Sequence, residues 1–542
     1  MPTMPSSSRS QAVTTIALAI AGVACDPPSA ADANTVQSGL LRGASIVYAD
    51  LGPADERSEL RALVALPIRD PDLLDATITE LYDPTSPAFR RYLTVDDWIA
   101  RHAPPQPALD TLIEWLRSEG FEIARIGKNR SLVQITSTVG VFNAAFQTQL
   151  HDFAKLDDAA FHTYGHLTEL HAPHAIAALL DPARGGAIVV ADPPADTSPL
   201  PGETGAVVVE PPDDTRLTLA RVARAYGLEP LTTTGAIGQG VTIGVVAGAG
   251  FKFKDLRSFW QSQGIVRDDP ELVTTMEPLA TRFTETTIDI EWCGGLAPGA
   301  DVVVYAGPDA HDTSLVFTFN EAIADGRAQV ITDSFAHRED STPLVIRLQY
   351  DTSARMAAAL GITVVAAGGD SGQPDVPATS PFVTSVGGTV LELEADGARR
   401  EERAWVGSGS GDSLTFDAPS WQLGLPITDK RAISDVALAS GTPYWAYVFG
   451  EWRGLAGTSF ASPVFAALVA VVDSARLGAG EPPVGFLNST LYRDPIVQAA
   501  FHDVVDGGTP DHPATPGWDY PTGFGAPDAA RLHEALRRGR GE

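Results

Sequence analysis

A serine at the start of an apolar stretch is the residue in this chain best placed for chemistry. Residues 457–463 read Gly-Thr-Ser-Phe-Ala-Ser-Pro, and residues 464–472 are apolar throughout. This pattern predicts a buried helix that begins beside Ser459, with Pro463 in its first turn, where a missing N–H costs little. The amino end of the helix would favour negative charge forming next to Ser459, as nucleophilic catalysis requires. A Gly-Thr-Ser sequence is also a common helix cap, and this segment by itself supplies no base.

Two groups of carboxylates could serve that serine. Glu285 and Asp289 are four residues apart, so in a helix they would share one face, where two acids can share a proton. Such pairs usually face solvent, but the residues around this pair are mostly apolar, which predicts that it points inward. Asp370 follows the β-branched run 362–366 within Gly-Gly-Asp-Ser-Gly, a turn at the end of a predicted strand.

The order of these motifs resembles the sedolisin family of serine-carboxyl peptidases. Glu-x-x-x-Asp, Gly-Asp-Ser-Gly and Gly-Thr-Ser-x-x-Ser-Pro follow one another as in that family, and residues 296–300 and 381–389 are further family-like stretches. The resemblance covers nearly everything from about residue 43 to residue 532. It implies a subtilisin-like fold and four catalytic residues: the nucleophile Ser459, its general base Glu285, the acid Asp289 that hydrogen-bonds the glutamate, and the oxyanion-stabilising acid Asp370.

The implied base predicts the pH range in which the enzyme works. An ordinary histidine has a pKa of about 6.5 and would be protonated in acid, whereas a glutamate with a pKa near 4.3 can still accept the serine proton. Asp370 would have to be protonated to donate a hydrogen bond to an oxyanion, and low pH and partial burial both favour that form. We therefore expect activity at acidic pH that is lost near neutrality.

Two positions depart from the pattern of the family. Residues 332–336 read Thr-Asp-Ser-Phe-Ala where the family has Ser-x-Ser-x-Gly, so Ala336 replaces a glycine and Asp333 adds a charge. Some kumamolisin-like members place a glutamate after the first strand of the catalytic domain, where this chain has Ala247. These departures bear on subsite preference and on pKa tuning, and they leave the four implied catalytic residues in place.

The C-terminal region resembles the calcium loop of the family. Residues 501–507 and 516–525 are rich in Asp, Gly and Pro, and Ca²⁺ prefers carboxylate and carbonyl oxygens. By position, the resemblance implies one structural ion bound by the side chains of Asp503 and Asp519 and by the backbone carbonyls of Val504, Thr515 and Gly517. Without the resemblance, two aspartates in such loops would be ordinary turn residues.

The N-terminus indicates an exported protein. Residues 1–25 have the weakly basic start and short apolar core of an export signal. Residues 21–25 also resemble a lipoprotein cleavage box, which would attach a lipid anchor at Cys25 and hold the protein at the cell surface. With Cys25 removed or lipidated, Cys293 is the remaining cysteine, so no intramolecular disulfide is expected.

The composition restricts the partners of the chain. A net charge of −30 argues against nucleic acid and anionic membrane surfaces. No membrane span is expected beyond the signal, whose apolar core is too short to cross a bilayer. The resemblance implies polypeptide substrates and the chain's own propeptide as partners, and we expect a monomer.

The sequence predicts a smaller α+β domain followed by an α/β catalytic domain. Residues 43–191 mix strand-like runs with amphipathic helices, and segments such as 81–87 and 129–132 resemble the family's activation propeptide. The Pro-rich, acidic stretch 192–214 is predicted to be an exposed linker that contains the processing site. Residues 215–535 alternate β-branched runs with helical stretches, which predicts a parallel sheet flanked by helices. The runs predicted as buried parallel strands are 241–246, 301–305, 329–332 and 362–366.

Two other functions remain open beside the leading one. Ordinary subtilisin chemistry would need Asp-Thr-Gly and His-Gly-Thr segments before Ser459; neither is present, and His311 and His337 lack such a setting. A catalytically altered, peptidase-like binding protein on the cell surface is the second, and the presence of all four chemical residues in order argues against it. The leading hypothesis is a secreted, self-processing serine-carboxyl endopeptidase active in acid. The sequence gives neither its cleavage preference nor a decision between endopeptidase and exopeptidase action.

Overall fold

The chain folds into two compact units, which differ in size. The computed structural model describes residues 13–16, 35–36, 48–155, 158–166, 170–180, 187–190, 216–274 and 283–538. The first unit comprises residues 1–69 and 103–195, and the second comprises residues 70–102 and 196–542. Cys25, the predicted linker 192–214 and the predicted signal 1–25, apart from its strand at 13–16, lie outside the described residues.

The N-terminal third of the chain contains short strands and short helices. Its strands are β1 (Val13–Ile16), β2 (Thr35–Val36), β3 (Tyr48–Pro53), β4 (Glu59–Ala65), β5 (Glu122–Ile126), β6 (Leu132–Thr138), β7 (Leu150–Lys155), β8 (Asp158–His166), β9 (Leu170–Pro173) and β10 (Ala187–Val190). Its helices are α1 (Pro71–Leu81), α2 (Val95–Arg101), α3 (Gln106–Ser118), α4 (Val139–Phe146) and α5 (His174–Leu179). Of these, α1 and α2 belong to the second unit.

The first unit has the predicted α+β architecture. Antiparallel sheets of order β10-β4-β6-β5 and β2-β3-β7-β8 form its frame, and β1 pairs with β9. Helix α3 forms because its apolar residues recur at helical spacing and pack into the core of the unit. Its buried residues are Leu109, Leu112, Ile113 and Leu116.

The second unit contains the longer helices of the chain. Its later strands are β11 (Thr242–Ala247), β12 (Glu271–Thr274), β13 (Asp301–Ala306), β14 (Val330–Asp333), β15 (His337–Arg338), β16 (Thr363–Ala367), β17 (Asp375–Val376), β18 (Thr384–Leu393), β19 (Arg399–Ala404), β20 (Gly411–Asp417), β21 (Lys430–Ile433), β22 (Val436–Ala439), β23 (Tyr444–Val448), β24 (Glu451–Leu455), β25 (Phe501–His502) and β26 (Ala526–Pro527). Its later helices are α6 (Leu219–Ala225), α7 (Glu229–Thr233), α8 (Phe253–Ser262), α9 (Phe283–Leu296), α10 (Asp312–Ala324), α11 (Leu344–Leu360), α12 (Thr458–Gly478), α13 (Leu487–Leu491), α14 (Pro495–Gln498) and α15 (Ala529–Arg538).

The second unit is organised around a mostly parallel sheet, as predicted. Its strand order is β12-β13-β11-β14-β16-β18-β19, with β22 also paired to β18. The pairing of β18 with β19 is antiparallel and the other pairings are parallel. The four runs predicted as buried strands correspond to β11, β13, β14 and β16, each within one residue at either end. The predicted fold class is therefore confirmed.

Helix α12 is the central core helix of this unit. It packs against α9 and against β14, β16 and β18. In the described part of the chain it is the helix long and apolar enough to cross a membrane, but 89% of its most apolar window is buried. That burial marks it as a core helix of the second unit.

The two ends of the parallel strands define the two edges of the sheet. Strands β11, β14 and β16 end at Ala247, Asp333 and Ala367, and we call this side the carboxyl edge. Their opposite ends, at which α10 and α11 return to β14 and β16, form the amino edge. Sites in open parallel sheets are found at the carboxyl edge.

Candidate active site

Ser459 lies in the first turn of α12, and the residue at the start of that turn must be glycine. Gly457 has a φ of +147°, a conformation that side chains disfavour. A Cβ at this position would also lie 2.6 Å from Asp370 Oδ2. Because residue 457 has no side chain, the turn that carries Ser459 can approach Asp370 closely.

Pro463 lies further inside α12 than the sequence predicts. The helix begins at Thr458 and Pro463 is an interior residue, so the expectation that it belongs to the first turn is wrong. In a regular helix the N–H of residue 463 would donate to the carbonyl of Ser459, and proline has no N–H to donate. That carbonyl lies instead 3.4 Å from the Ser334 hydroxyl.

Asp370 is hydrogen-bonded directly to the turn that carries Ser459. Its Oδ1 accepts hydrogen bonds from the backbone N–H and from the hydroxyl of Thr458, both at 2.7 Å. The residue keeps access to solvent, yet the atoms around its carboxyl group displace water and raise its pKa, while the two bonds from Thr458 lower it. Burial is the larger influence, so the pKa of Asp370 lies above its ordinary value.

Helix α9 carries the predicted carboxylate pair. Glu285 lies in its first turn and is partly buried, and Asp289 is fully buried. The Ser334 hydroxyl donates to Asp289 Oδ1 at 2.8 Å. Since the same hydroxyl lies near the carbonyl of Ser459, Ser334 connects α9 to the turn that carries the nucleophile. The inward orientation predicted for Asp289 is observed.

Burial and a neighbouring negative charge raise the pKa of Asp289. Its pKa is raised well above the ordinary value, first by burial and then by Glu285, and the hydrogen bond from Ser334 opposes the rise. Its Oδ2 is buried and has no hydrogen-bond partner in the described part of the chain. A protonated Asp289 can donate a hydrogen bond to a glutamate, as two acids that share a proton do.

Asp333 brings a third carboxyl group to this region. It is fully buried at the carboxyl end of β14, in register with Val246 of β11, the residue before Ala247. Its Oδ1 accepts a hydrogen bond from the Phe335 N–H at 3.1 Å. Burial raises its pKa well above the usual value, and the charge of Glu285 adds to the rise.

The third acid on α9, Glu291, contacts a different part of the unit. Glu291 is buried and accepts the backbone N–H of Tyr447, at 3.1 Å to Oε2. Tyr447 lies in β23, which forms a hairpin with β24. Glu291 therefore holds a hairpin in place, although it lies only two residues from Asp289 in sequence.

Sequence reasoning missed Thr458 and the linking role of Ser334. Ser334 directly follows β14, and a polar residue at the end of a parallel strand is a signal that could have identified it. Thr458 gave no such signal, because its partner Asp370 is 88 residues away along the chain. Only the folded sheet brings those two segments together.

The structure also brings the predicted calcium-binding aspartates close together. Gly517 N–H donates to Asp503 Oδ2 at 2.8 Å, and Thr515 N–H donates to Asp519 Oδ2 at 2.7 Å. Burial raises the pKa of Asp519 to about 6, and the charge of Asp503 adds to this rise. A bound cation would relieve both effects.

The chemistry of this loop suits a hard cation. The carbonyl oxygens of Val504, Thr515 and Gly517 accept no hydrogen bond within the described residues. Together with the carboxylates of Asp503 and Asp519 they form an all-oxygen donor set, which Ca²⁺ prefers. Across residues 48–155, 216–274 and 283–538, no three His, Cys, Asp or Glu side chains are grouped to hold a metal ion, so a site here depends on the carbonyls.

Comparison with known families divides the chain as the motifs do. The model of the Pro-kumamolisin activation domain matches residues 48–182. The model of the subtilase family matches residues 280–525, which include Glu285, Asp289, Asp370 and Ser459.

Curated relatives match over nearly their whole length. Kumamolisin of Bacillus sp. (strain MN-32) is 29% identical over 90% of this chain and 93% of the relative. Sedolisin of Pseudomonas sp. (strain 101) is 26% identical over 88% of this chain and 86% of the relative. Human tripeptidyl-peptidase 1 is 27% identical over 90% of this chain and 93% of the relative.

The chain is thus similar to sedolisin-family peptidases over about nine tenths of its length. A solved structure of the family supports the same fold: Pseudomonas sedolisin, a serine-carboxyl proteinase complexed with two molecules of pseudo-iodotyrostatin. It superposes with a TM-score of 0.53 at 25% identity and covers 61% of this chain and 100% of that chain. The predicted class of enzyme is confirmed: the chain is a serine-type peptidase with an activation domain.

Proposed function

We propose that the chain is a serine-carboxyl endopeptidase that works in acid, with Ser459 as nucleophile, Glu285 as base, Asp289 as its partner and Asp370 as oxyanion stabiliser. The observation that carries the proposal is the pair of links to one turn. Asp289 is linked to Ser459 through the Ser334 hydroxyl, at 2.8 and 3.4 Å. Asp370 is bound at 2.7 Å to Thr458, which precedes Ser459.

In the proposed reaction, Ser459 Oγ attacks the scissile carbonyl carbon and gives its proton to Glu285. The carbonyl oxygen becomes an oxyanion and accepts a hydrogen bond from protonated Asp370. Collapse of the tetrahedral intermediate breaks the C–N bond, and the departing amine takes the proton from Glu285. Water then attacks the acyl-enzyme with Glu285 as base again, which releases the acid product and restores Ser459.

The raised pKa values support an acid working range. Asp370 is neutral below its raised pKa and can then donate a hydrogen bond; it loses that proton, and the function, as pH rises through the pKa. Burial and the charge of Glu285 raise the pKa of Asp289, which favours the protonated form that can donate to the glutamate while Glu285 acts as base. We expect maximal activity in acid, loss near neutrality, and no inhibition by a histidine-directed reagent. A neutral optimum abolished by such a reagent would contradict this mechanism.

The direct test is hydrolysis of a denatured protein at acid pH by the activated enzyme and by Ser459→Ala. The variant should lose activity by roughly 10⁴-fold or more, as removal of the nucleophile does in other serine peptidases. Ser474→Ala is a matched control on the same helix, since its hydroxyl donates to Gln239 O at 3.1 Å. Equal turnover by Ser459→Ala and the parent would refute the peptidase assignment of this site.

We also propose that the protein is exported as a zymogen that processes itself. The activation-domain match at 48–182 supports a propeptide, and the predicted linker 192–214 offers the place for the cut. N-terminal sequencing after a shift to acid should give a mature start in that linker. A Ser459→Ala chain that is processed at the same position and rate when purified alone would show that the cut is made by another protease.

A structural calcium ion is the proposed cofactor. Asp503 and Asp519, with the carbonyls of Val504, Thr515 and Gly517, would bind it, and the ion would cross-link the loop that carries them. Its proposed role is stability, because no described contact connects these residues to Ser459.

A further inference from the structure

The family match and the fold place the segment formed by residues 70–102 in different parts of the protein. They fall inside the activation-domain match, but they fold with the second unit, which contains Ser459. Helices α1 and α2 of this segment both pack against α11. We call the remainder of the second unit, described from residue 216 onward, the catalytic unit. The segment is thus attached to the catalytic unit by contacts of its own.

Two tyrosines anchor the segment. Tyr82 is buried, and its hydroxyl donates to the Ala358 carbonyl at 2.9 Å and accepts the Phe486 N–H at 2.8 Å. The Tyr92 hydroxyl lies 3.2 and 3.1 Å from the carbonyls of Pro483 and Val484. Both tyrosines therefore reach backbone groups of the catalytic unit, which a side-chain substitution in the catalytic unit would not remove.

Three glycines of the catalytic unit make room for the segment. A Cβ on Gly361 would lie 2.1 Å from the Tyr92 ring, and one on Gly485 would lie 2.5 Å from the Tyr82 hydroxyl. A Cβ on Gly326 would lie 2.4 Å from a methyl group of Val95. We call Gly326, Gly361 and Gly485 the tyrosine socket. All three glycines also have a left-handed φ, +69° at Gly326, +74° at Gly361 and +70° at Gly485, which is a second reason for glycine at each position. The inference therefore depends on the close approach of the segment together with the hydrogen bonds of the two tyrosines.

Further contacts fix the direction in which the segment lies. Leu93 N–H donates to the Ala359 carbonyl at 3.0 Å. Arg355 of α11 bridges Asp75 of α1, at 2.6 Å, and Asp351 on its own helix, at 2.8 Å. Polar contacts therefore flank the aromatic anchors along the segment.

The tyrosine socket lies away from the catalytic residues. Gly326 and Gly361 occupy the turns that lead from α10 into β14 and from α11 into β16, so both are at the amino edge of the sheet. Gly485 joins that edge, because its carbonyl accepts the hydroxyl of Thr363, the first residue of β16, at 2.6 Å. Ser334 and Asp370 follow the opposite ends of the same two strands. A segment held in the socket therefore lies at the edge of the sheet opposite to Ser334 and Asp370.

We propose that the tyrosine socket is an exosite that binds the chain's own residues 70–102, and that these residues stay bound to the catalytic unit after the linker is cut. The active enzyme is then a two-chain complex with the segment on the amino edge of the sheet. None of the contacts named above uses a residue of the linker, so cleavage removes none of them. This inference rests on the proposed function only because it requires cleavage of the linker between the segment and the catalytic unit.

The test supplies that cut and makes no use of activity. A recognition sequence for a specific protease is inserted within 192–214 of a full-length Ser459→Ala chain, which prevents self-digestion. After cutting, gel filtration measures how much N-terminal fragment elutes with the catalytic unit. We expect co-elution for the parent and loss of the fragment for Tyr82→Ala and Tyr92→Ala. Separation of the parent fragments would overturn the proposal, as would full retention by both tyrosine variants.

Matched controls distinguish anchoring from general damage. Leu73→Ala lies on α1 in the same segment, but Leu73 is 52% exposed, so this variant should retain the fragment as the parent does. If an alanine variant fails to fold, Tyr92→Phe keeps the ring and removes only the hydroxyl. Loss of one hydrogen bond should then speed dissociation of the fragment roughly fivefold. An unchanged dissociation rate for Tyr92→Phe together with retention by Tyr82→Phe would also overturn the proposal.

Discussion

The carboxyl edge of the sheet and the loop from residue 503 to residue 519 both gather carboxylates, but they surround them differently. At the carboxyl edge, Asp289 and Asp370 accept hydrogen bonds from the hydroxyls of Ser334 and Thr458. In the loop, Asp503 and Asp519 lie beside carbonyl oxygens that accept no described hydrogen bond. The aspartates of both regions accept hydrogen bonds, and those of the loop accept them from Thr515, Gly517 and Thr522. What distinguishes the loop is its additional carbonyl oxygens, which suit a cation.

Among changes to the groups around Ser459, the largest effect should come from the proposed base. Glu285→Gln removes the group that accepts the serine proton, so kcat/KM should fall by about 10³-fold. The melting temperature should change little, because Glu285 is only partly buried. Steady-state kinetics on a peptide substrate at acid pH, together with thermal unfolding, measures both quantities. A loss of kcat/KM smaller than about tenfold would show that a residue other than Glu285 is the base.

Asp370→Asn should have the next largest effect and should also change the pH profile. An amide donates a weaker hydrogen bond than a neutral acid to an oxyanion, so kcat should fall by roughly 10²-fold. Because asparagine carries no titrating proton, the remaining activity should extend to higher pH than that of the parent, whose Asp370 ionises above its raised pKa. The check is a kcat profile from acid to neutral pH. An alkaline limb identical in both proteins would show that another group sets it.

Removal of calcium should affect stability rather than chemistry. A chelator should lower the melting temperature of the parent by about 5 °C, since an ion present at 100 times its Kd stabilises by about 2.7 kcal/mol. Asp519→Asn should melt lower in calcium and should not respond to the chelator. Calorimetry with and without excess chelator measures this. If the chelator does not change the melting temperature of the parent, the loop does not bind a structural calcium ion and is held by its hydrogen bonds alone.

The smallest effect should come from Ser334→Ala. The change deletes one hydrogen bond to a buried acid, which is worth about 1 kcal/mol, or roughly fivefold in kcat/KM. It also removes an interaction that lowers the pKa of Asp289, so that pKa should rise further. Ser462→Ala is the matched control: Ser462 lies on α12, and its hydroxyl pairs with that of Thr332 in β14 at 2.8 Å. A pH profile altered by Ser334→Ala but not by Ser462→Ala would support the link described here.

Much of the second unit could be predicted because its signals are local. The β-branched runs gave β11, β13, β14 and β16 within one residue, since a buried strand must be apolar along its length. The positions of Ser459 and Asp370 followed from the same rule, which directs attention to strand and helix ends.

Other features could not be predicted, because they depend on residues that are distant along the chain. The contact between Thr458 and Asp370 forms only when α12 and β16 meet. The packing of residues 70–102 within the second unit depends on a contact between Tyr82 and Ala358, which are 276 residues apart along the chain. The depth of Pro463 inside α12 was misjudged because the helix starts at Thr458, and sequence alone rarely fixes a helix boundary to the residue.

The burial of α12 has a consequence for how the enzyme fails on heating. The helix that presents Ser459 is also the one around which the core of its unit is packed. A nucleophile on a surface loop could be lost by local opening while the rest of the protein stayed folded. Here the first turn of α12 cannot loosen for long without exposing the core to water. Loss of activity and unfolding of the second unit should therefore follow the same thermal transition, which makes enzymatic activity a direct reporter of the folded state of that unit.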